Sequence, residues 1–507
     1  MNGKTLILLL AIFFLGLGIR LYYIYPTNIV LGYDQIAQLI SAKKIVDFHD
    51  IIIMGAATSG LEGLRHGALF DYFTAIPYFL GGGNPMFIAY WYSFFNTLTV
   101  FVVFAFTYFL FRNSSAALIS AFMAAVSYQM VQIAGWISNT TVTLFLLPVF
   151  FLSLWFYYKK EEWTLILSFA LLGLMIQSQT LMAYYLAVIP LLWLIFRLRI
   201  PSLKIALMSV FSFTAAISTI IITEIKLNFS GVKIFLNFSK YLDESSVPLI
   251  KRFLLFGNQF LRVFSSNISP QYPKIGMIVG LITPLIIVYL IFIKKTKKEE
   301  RTSLIFLLTF LVSPILMLVV GYHDKPWTLM GLIPAVIISV GYIISKVIFF
   351  PFGLIILSLI TYLNLSSVLD GHQKEVLFIK QEPSSTLKGQ LAVIDYTYRE
   401  AKREPFAINS VTYPLYYNTY WSYHYPWYGL EKYGYLPGWL GGDQIYPYNA
   451  LPKASEKDKI FYMIVDETAT IPDVHRSVGR KWGLKYGKLL EEKSIGGFTV
   501  QKFQTFN

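Results

Sequence analysis

Asp34 stands in the stretch GYDQIAQLISAKKIV, a few residues beyond the first long apolar run of the chain. An acid there can cap the helix that the stretch predicts, accepting free backbone N–H groups. It can also do proton chemistry at the edge of a membrane. Other residues with that capacity share its loop. In GAATSGLEGLRHG, Glu62 and His66 are four apart and would share one face of a helix, a spacing open to a divalent metal, with Arg65 between them. A surface ion pair satisfies the same spacing. His323, Asp324 and Lys325 cluster in GYHDKPW, and Glu224 closes an apolar run in ITEIKLNFSG. Gln179 belongs to the polar patch IQSQT, which also reads as a turn. With no cysteine anywhere, a thiolate metal site and a cysteine nucleophile are excluded.

The elements that must position these side chains are mostly membrane helices. Apolar residues make up 56% of the 507 and charged ones 14%, against roughly 25% charged in soluble domains. Mean hydropathy is +0.57. The deficit of charge is concentrated in runs of about 20 apolar residues, the length of a helix that crosses the hydrocarbon core. Eleven such runs can be marked, from TLILLLAIFFLGLGIRLYYIYP to VIFFPFGLIILSLITYLNL. The fold class is therefore a polytopic α-helical membrane protein of about eleven transmembrane helices with a C-terminal α/β domain. The first run follows Lys4 without a small-residue cleavage site, which predicts a retained helix.

Charge sets the orientation. With the N-terminus in the cytoplasm, the inner loops carry Lys4, Arg112, Lys159, Lys160, Arg197, Arg199, Lys204, Lys294, Lys295, Lys297, Lys298, Arg301 and Lys346. Only Glu161, Glu162, Glu299 and Glu300 oppose them, the positive-inside pattern of a multi-pass plasma-membrane protein. This accounts for much of the net charge of +14, so nucleic acid is not a needed partner. The same topology divides the chain into a membrane domain, 1–367, and an extracytoplasmic domain, 368–507. The outer loops of the first are 26–85 and 224–274, and every candidate residue above falls on the outer side. Arg20, near the outer end of the first run, either snorkels to the interface or marks a polar cavity. Lys43 and Lys44 read as solvated or headgroup charges.

Within the first outer loop, DQIAQLISAKKIVDF spaces Ile36, Leu39 and Ile40 as in an amphipathic helix on the membrane surface. RHGALFDYFTAIPYFLGGGNP predicts a second interfacial or re-entrant helix stopped by Gly81, Gly82 and Gly83. The tail reads as a helix and a strand in GQLAVIDYTYREAKREPFAINSVTYP, a buried strand in KIFYMIVDET, a helix in DVHRSVGRKWGLKYG and a closing strand in GGFTVQKFQ. That is an α/β domain of about 135 residues, enough to hold a core. Into it is set YPLYYNTYWSYHYPWYGLEKYGYLPGW, residues 413–439, with nine Tyr and three Trp. Core packing or membrane docking explains such rings, and so does a sugar-binding face built from Tyr420, Trp421, His424, Trp427 and Tyr428.

A first span ending near an Arg, YDQ just beyond it, and a loop closing with RHGALFDYFTAIPYFLGGGNP resemble the C-type (GT-C) glycosyltransferases. The branch in question is that of the protein O-mannosyltransferases and aminoarabinose transferases. There an acid follows the first helix, and the loop ends in a basic and apolar pattern with Gly-Asn before the second span. His66 stands where that branch often has a Lys, and Gln35 where it often has a second acid. The resemblance implies inverting transfer of a sugar from a polyprenyl-phosphate donor to an extracytoplasmic protein, lipid or glycan. Asp34 would be the base. Arg65, His66 and Lys325 would face the donor phosphate, or a divalent ion would do so on Glu62, His66 and His323. Glu224 and Gln179 would supply a second acid and a substrate contact. A transporter or lipid flippase, and a non-catalytic glycan-binding envelope protein, are the alternatives. An oligosaccharyltransferase is disfavoured because the tail has no Trp-Trp-Asp motif.

Overall fold

The computed structural model describes residues 2–58, 63–237, 248–294, 296–316, 329–370, 375–376, 379–468 and 470–506. The chain forms two compact units, each drawn from separated segments. One comprises Met1–Tyr23, Ile51–Phe73 and Tyr90–His372, the other Ile24–Asp50, Thr74–Ala89 and Gln373–Asn507.

The first unit is helical. Among the described residues five helices are long and apolar enough to cross a bilayer: Gly3–Ile24 (α1), Pro85–Phe111, Asn139–Tyr158, Pro273–Phe292 and Phe350–Asp370. Two further runs form helix pairs, Ser114–Val126 with Tyr128–Ala134 (bent by 54°) and Leu203–Ala216 with Ser218–Lys226 (bent by 60°). Thr164–Ser178, Thr180–Phe196 and Leu332–Lys346 are shorter apolar helices. The eleven apolar runs thus all carry helix, while five to seven have the length and composition of a span. The ninth run enters the helix Lys298–Val312 and continues outside the described residues.

Each bend frees backbone groups that lipid cannot satisfy, and buried polar side chains take them up. At the first bend Arg20, completely buried, donates to the carbonyls of Ala124 (3.1 Å) and Ala125 (2.9 Å) in the last turn of the helix before it. It also donates to Gly16 O and Asn96 Oδ1, both at 2.9 Å. A guanidinium suits the negative end of a helix. Arg20 therefore caps a helix, and neither snorkels nor lines an open cavity. Beyond the bend, Asn364 Oδ1 accepts the Tyr128 N–H at 2.8 Å, and Ser127, Asn267 and Gln129 complete the network. At the second bend Gln177 Nε2 donates to Ala216 O at 2.8 Å while its Oε1 accepts from Thr219 at 2.8 Å.

The second unit holds a five-stranded sheet, in the order Gly438–Trp439, Phe406–Val411, Ile460–Asp466, Phe498–Thr505, Gly487–Ile495. The first three strands are parallel and the last two antiparallel additions. Both faces are covered, which is why KIFYMIVD reads as a continuous apolar run. Phe461, Met463 and Val465 join Ala407 and Phe503 in one core, which the helix Asp473–Trp482 meets through Trp482. Phe406 and Tyr462 meet Tyr396 and Tyr398 of the helix Leu387–Ala401 on the other. The strand Phe498–Thr505 is paired on both sides. Gly487–Ile495 is the edge strand on that side, joined to it through Gly496 and Gly497 at φ of +59° and +87°, conformations natural to glycine.

Candidate functional site

Asp34 lies in the first turn of the helix Tyr33–Asp47 (α2), but it is not the cap. Gly32 is the N-cap, and its N–H donates to the side-chain oxygen of Gln35 at 3.1 Å. Gln35 does the work that an acid at that point of the sequence would be expected to do. The Asp34 side chain is exposed to solvent. Protein nevertheless crowds it enough to raise its pKa above the ordinary aspartate value through loss of hydration.

The chain just before Asp34 is pinned to the C-terminal part of the same unit. Leu31 N–H donates to Ser385 O (2.7 Å), Leu387 N–H donates to Ile29 O (3.1 Å), and Val30 bridges Thr386. Gln390, completely buried, donates from Nε2 to Leu31 O (2.7 Å) and to Ser384 O (2.9 Å). Both of its N–H groups are thereby used, so its Oε1 accepts from His424 Nε2 at 2.7 Å. Burial holds the His424 imidazole neutral, with its pKa lowered to about 3.

The other face of α2 is protein, not lipid. Ile36, Leu39 and Ile40 are at most 4% exposed, and α2 packs on the helix Thr419–His424. The surface helix expected at the membrane is therefore an internal one. Lys43 and Lys44 are not free headgroup charges either: they pair with Asp47 (2.6 Å) and Asp50 (3.7 Å).

The aromatic segment divides into buried and exposed rings. Trp421 is completely buried against Phe498. Trp427 stacks in a tilted row with Tyr423, His424 and Tyr428. Tyr428 donates to Asp395, where Lys432 and Tyr433 also bind. Tyr420 is 4% exposed, and its hydroxyl is raised well above the usual tyrosine range by burial, then by the charges of Asp466 and Asp34. Of the five expected acceptor contacts, only Tyr420 has its hydroxyl in this neighbourhood of Asp34. The exposed rings of this segment include Tyr413, which meets the Tyr33 ring beside that acid, and Tyr417, neither of which the sequence singles out.

The remaining candidates belong to the first unit. Arg65 and His66 lie on the strand Arg65–Gly67, paired with Met54–Ala57. A strand replaces the helix that the Glu62–His66 spacing required. Gly67 is demanded there, since an added Cβ would meet Gln177 Oε1 at 1.5 Å. His66 Nδ1 receives the backbone N–H of Thr180 at 3.2 Å, and the Thr180 hydroxyl lies 3.1 Å from it. A backbone N–H always points a proton, so Nδ1 is the bare nitrogen and Nε2 carries the hydrogen. Burial lowers the His66 pKa to about 4, so the ring is neutral near pH 7. It can donate one hydrogen bond to a phosphate but is neither a cation nor a metal ligand in this state. Arg65 is half-exposed and, among the described residues, meets only Gly55 O at 3.5 Å.

Glu224 is occupied: its Oε2 accepts the Val232 N–H at 3.0 Å, capping the short helix Ser230–Leu236. Gln179 is buried as the C-cap of the helix Thr164–Ser178, so IQSQT is the last turn of that helix and its cap rather than a separate turn. Glu62, His323, Asp324 and Lys325 lie outside the described residues. Among those described, no three His, Asp or Glu side chains gather as metal ligands would. Of the expected donor set Glu62, His66 and His323, only His66 is among the described residues.

No protein-family model matches the sequence, and no curated protein matches it either. Solved structures match in fold. ArnT from Cupriavidus metallidurans, bound to undecaprenyl phosphate, aligns over 99% of this chain and 98% of its own, with a TM-score of 0.62 at 10% identity. The archaeal oligosaccharyltransferase AglB from Archaeoglobus fulgidus, in complex with an inhibitory peptide and a dolichol-phosphate, aligns over 98% of this chain and 74% of its own. Its TM-score is 0.53 at 12% identity. The chain therefore shares the fold of these structures, a multi-pass helical part with a C-terminal mixed-sheet domain.

Proposed function

We propose that this GT-C-fold chain is a membrane glycosyltransferase that moves a sugar from a polyprenyl-phosphate donor to an acceptor hydroxyl on the extracytoplasmic side, with inversion. The observation that carries this reading is Asp34. It is a solvent-accessible carboxylate in the first loop after α1, relieved of helix capping by Gln35. Support comes from the fold match along the whole chain to an enzyme solved with undecaprenyl phosphate.

In the reaction, the Asp34 carboxylate takes the proton of the acceptor hydroxyl. The acceptor oxygen bonds to the anomeric carbon, and the bond from that carbon to the phosphate oxygen breaks. The polyprenyl phosphate leaves with the electron pair. A positioned base contributes about 10²- to 10⁴-fold to such a step. Asp34 sits in the first turn of α2, whose dipole favours the ionised form by about 0.3–1 kcal/mol. Burial raises its pKa in the opposite sense, giving a stronger base than a free aspartate. The leaving phosphate needs positive charge and hydrogen bonds. Arg65 offers the first, neutral His66 the second through Nε2–H, and Lys325 remains a candidate from its place in GYHDKPW.

The positive-inside pattern supports a cytoplasmic N-terminus and an outward site. The experiment is extraction of lipids that co-purify with the protein, identified by mass spectrometry, followed by transfer assays in proteoliposomes with the polyprenyl-phosphate sugar so found. Label moving from the lipid phase to a water-soluble or lipid acceptor supports the reading. Export of an intact lipid-linked sugar without bond cleavage would favour a flippase instead.

A further inference from the structure

Two tyrosine ring pairs belong to the unit that carries Asp34. Tyr33 precedes it in α2, and its ring meets Tyr413 edge-on with centroids 5.4 Å apart. Tyr417 and Tyr448 form a second edge-on pair at 5.6 Å. Burial, then Tyr448, Asp34, Tyr413 and Tyr417 in that order, push the Tyr33 hydroxyl up to about 12, so all four phenols and the acid share one neighbourhood.

Tyr413 and Tyr417 remain 48% and 46% exposed in a unit that completely buries Trp421, Tyr425 and Tyr462. The loops bearing them are held by polar ties rather than by burying the rings. Gln444 Nε2 donates to Tyr416 O (3.1 Å) and Gly442 O (3.0 Å), and its Oε1 accepts the Asn418 N–H (2.8 Å). Tyr446 OH donates to Asp50 at 2.7 Å. Rings fixed in place and left wet are what a preorganised binding surface needs. Asn418, next to Tyr417, is completely buried, and both atoms of its side-chain amide lack a hydrogen-bond partner among the described residues.

We propose that Tyr33, Tyr413, Tyr417 and Tyr448 form the acceptor platform, and that it takes a neutral sugar, one hydroxyl of which is presented to Asp34. The proposal rests on Asp34 being the base. Flat rings match the apolar faces of a pyranose, and phenolic hydroxyls can both donate to and accept from its hydroxyls. The carboxylate of Asp34, next to Tyr33 in the chain and acting on its hydroxyl, repels an anionic acceptor.

The test uses the full chain in zwitterionic nanodiscs, without donor, and measures binding of a panel of neutral gluco-, manno-, galacto- and N-acetylhexosamine oligosaccharides. Their phosphorylated counterparts and a Ser/Thr peptide complete the panel. At least one neutral oligosaccharide should bind, and its phosphorylated form should bind about tenfold or more weakly. Tyr413→Ala and Tyr417→Ala should each weaken the neutral ligand about tenfold, while Tyr413→Phe stays within about threefold because the ring face is kept. Asp34→Asn should narrow the gap between the neutral and phosphorylated ligands. Binding of the peptide alone, no binding by any neutral sugar, equal binding of the phosphorylated form, or indifference to both alanine variants would each overturn the proposal. Because no donor is present, sugar binding with no transfer in any assay would refute the base role and leave the platform standing.

Discussion

The side chain of Gln35 caps the helix in whose first turn Asp34 lies, its oxygen taking the Gly32 N–H at 3.1 Å. Two adjacent residues thereby separate two jobs that one acid could have combined. Gln35→Ala removes the cap and should cost about 1 kcal/mol. Thermal unfolding followed in detergent should show that loss for Gln35→Ala and none of similar size for Asp34→Asn.

The crowding of Asp34 has a pH signature. Its folded-state pKa lies above the ordinary aspartate value because burial penalises the charge. The folded state therefore holds its proton to higher pH than the unfolded state does. Stability attributable to this group falls as pH rises from the ordinary value through the raised one, and is constant above it. At neutral pH Asp34→Asn should be neutral or slightly stabilising, and the difference should vanish in acid below the unfolded pKa. Activity runs the other way, since the base must be ionised. The acid limb of kcat/KM should lie above the pH expected for a free aspartate. An acid limb at or below that pH would be inconsistent with the crowded carboxylate.

His66 is the group that separates a metal mechanism from a side-chain one. Its Nδ1 is engaged by the Thr180 N–H, and its pKa of about 4 leaves it uncharged. Activity should survive exhaustive chelation, and donor binding should not strengthen between pH 7.5 and pH 5.5. Arg65→Gln should weaken donor binding by about tenfold or more, as for loss of a charge-assisted contact. Titration of a labelled polyprenyl phosphate into nanodiscs measures both. Loss of activity on chelation, restored by a divalent ion, would return Glu62 and His323 to the site.

Gln390 ties Leu31 to the helix that carries it. Gln390→Leu leaves the Leu31 and Ser384 carbonyls and the His424 ring N–H buried without this partner. Each orphaned group costs about 1–3 kcal/mol. The variant should melt earlier and, where folded, show a lower kcat with donor Kd unchanged, because the segment before Asp34 has lost one of its ties.

What the sequence disclosed follows from how local each signal is. The apolar runs, the strand KIFYMIVD and the acid beyond α1 are written in consecutive residues, and each was legible. So was the cap, in principle: Gln35 three residues after Gly32 is the spacing of a capping box. The edge strand GKLLEEKSI was not, because charged residues protect an open edge and hide the strand pattern. The Gly496–Gly497 turn beside it was the signal available. Glu62 and His66 suggested a ligand pair only under a helical spacing that the Arg65–Gly67 strand does not have. Arg20 at Ala125 and Asn364 at Tyr128 join residues 105 and 236 positions apart, so no local pattern announces them. For the same reason the buried Trp421 and the exposed Tyr413 look alike in sequence.

The central claim is that Asp34 removes the acceptor proton. The most direct measurement is single-turnover transfer by Asp34→Asn in proteoliposomes, with the donor lipid bound and the melting temperature recorded on the same preparation. The substitution keeps the shape of the side chain and leaves the Gln35 cap in place. Transfer should fall by about 10²-fold or more, with donor binding and melting temperature essentially unchanged. Transfer at near wild-type rate by that folded, donor-bound variant would contradict the account.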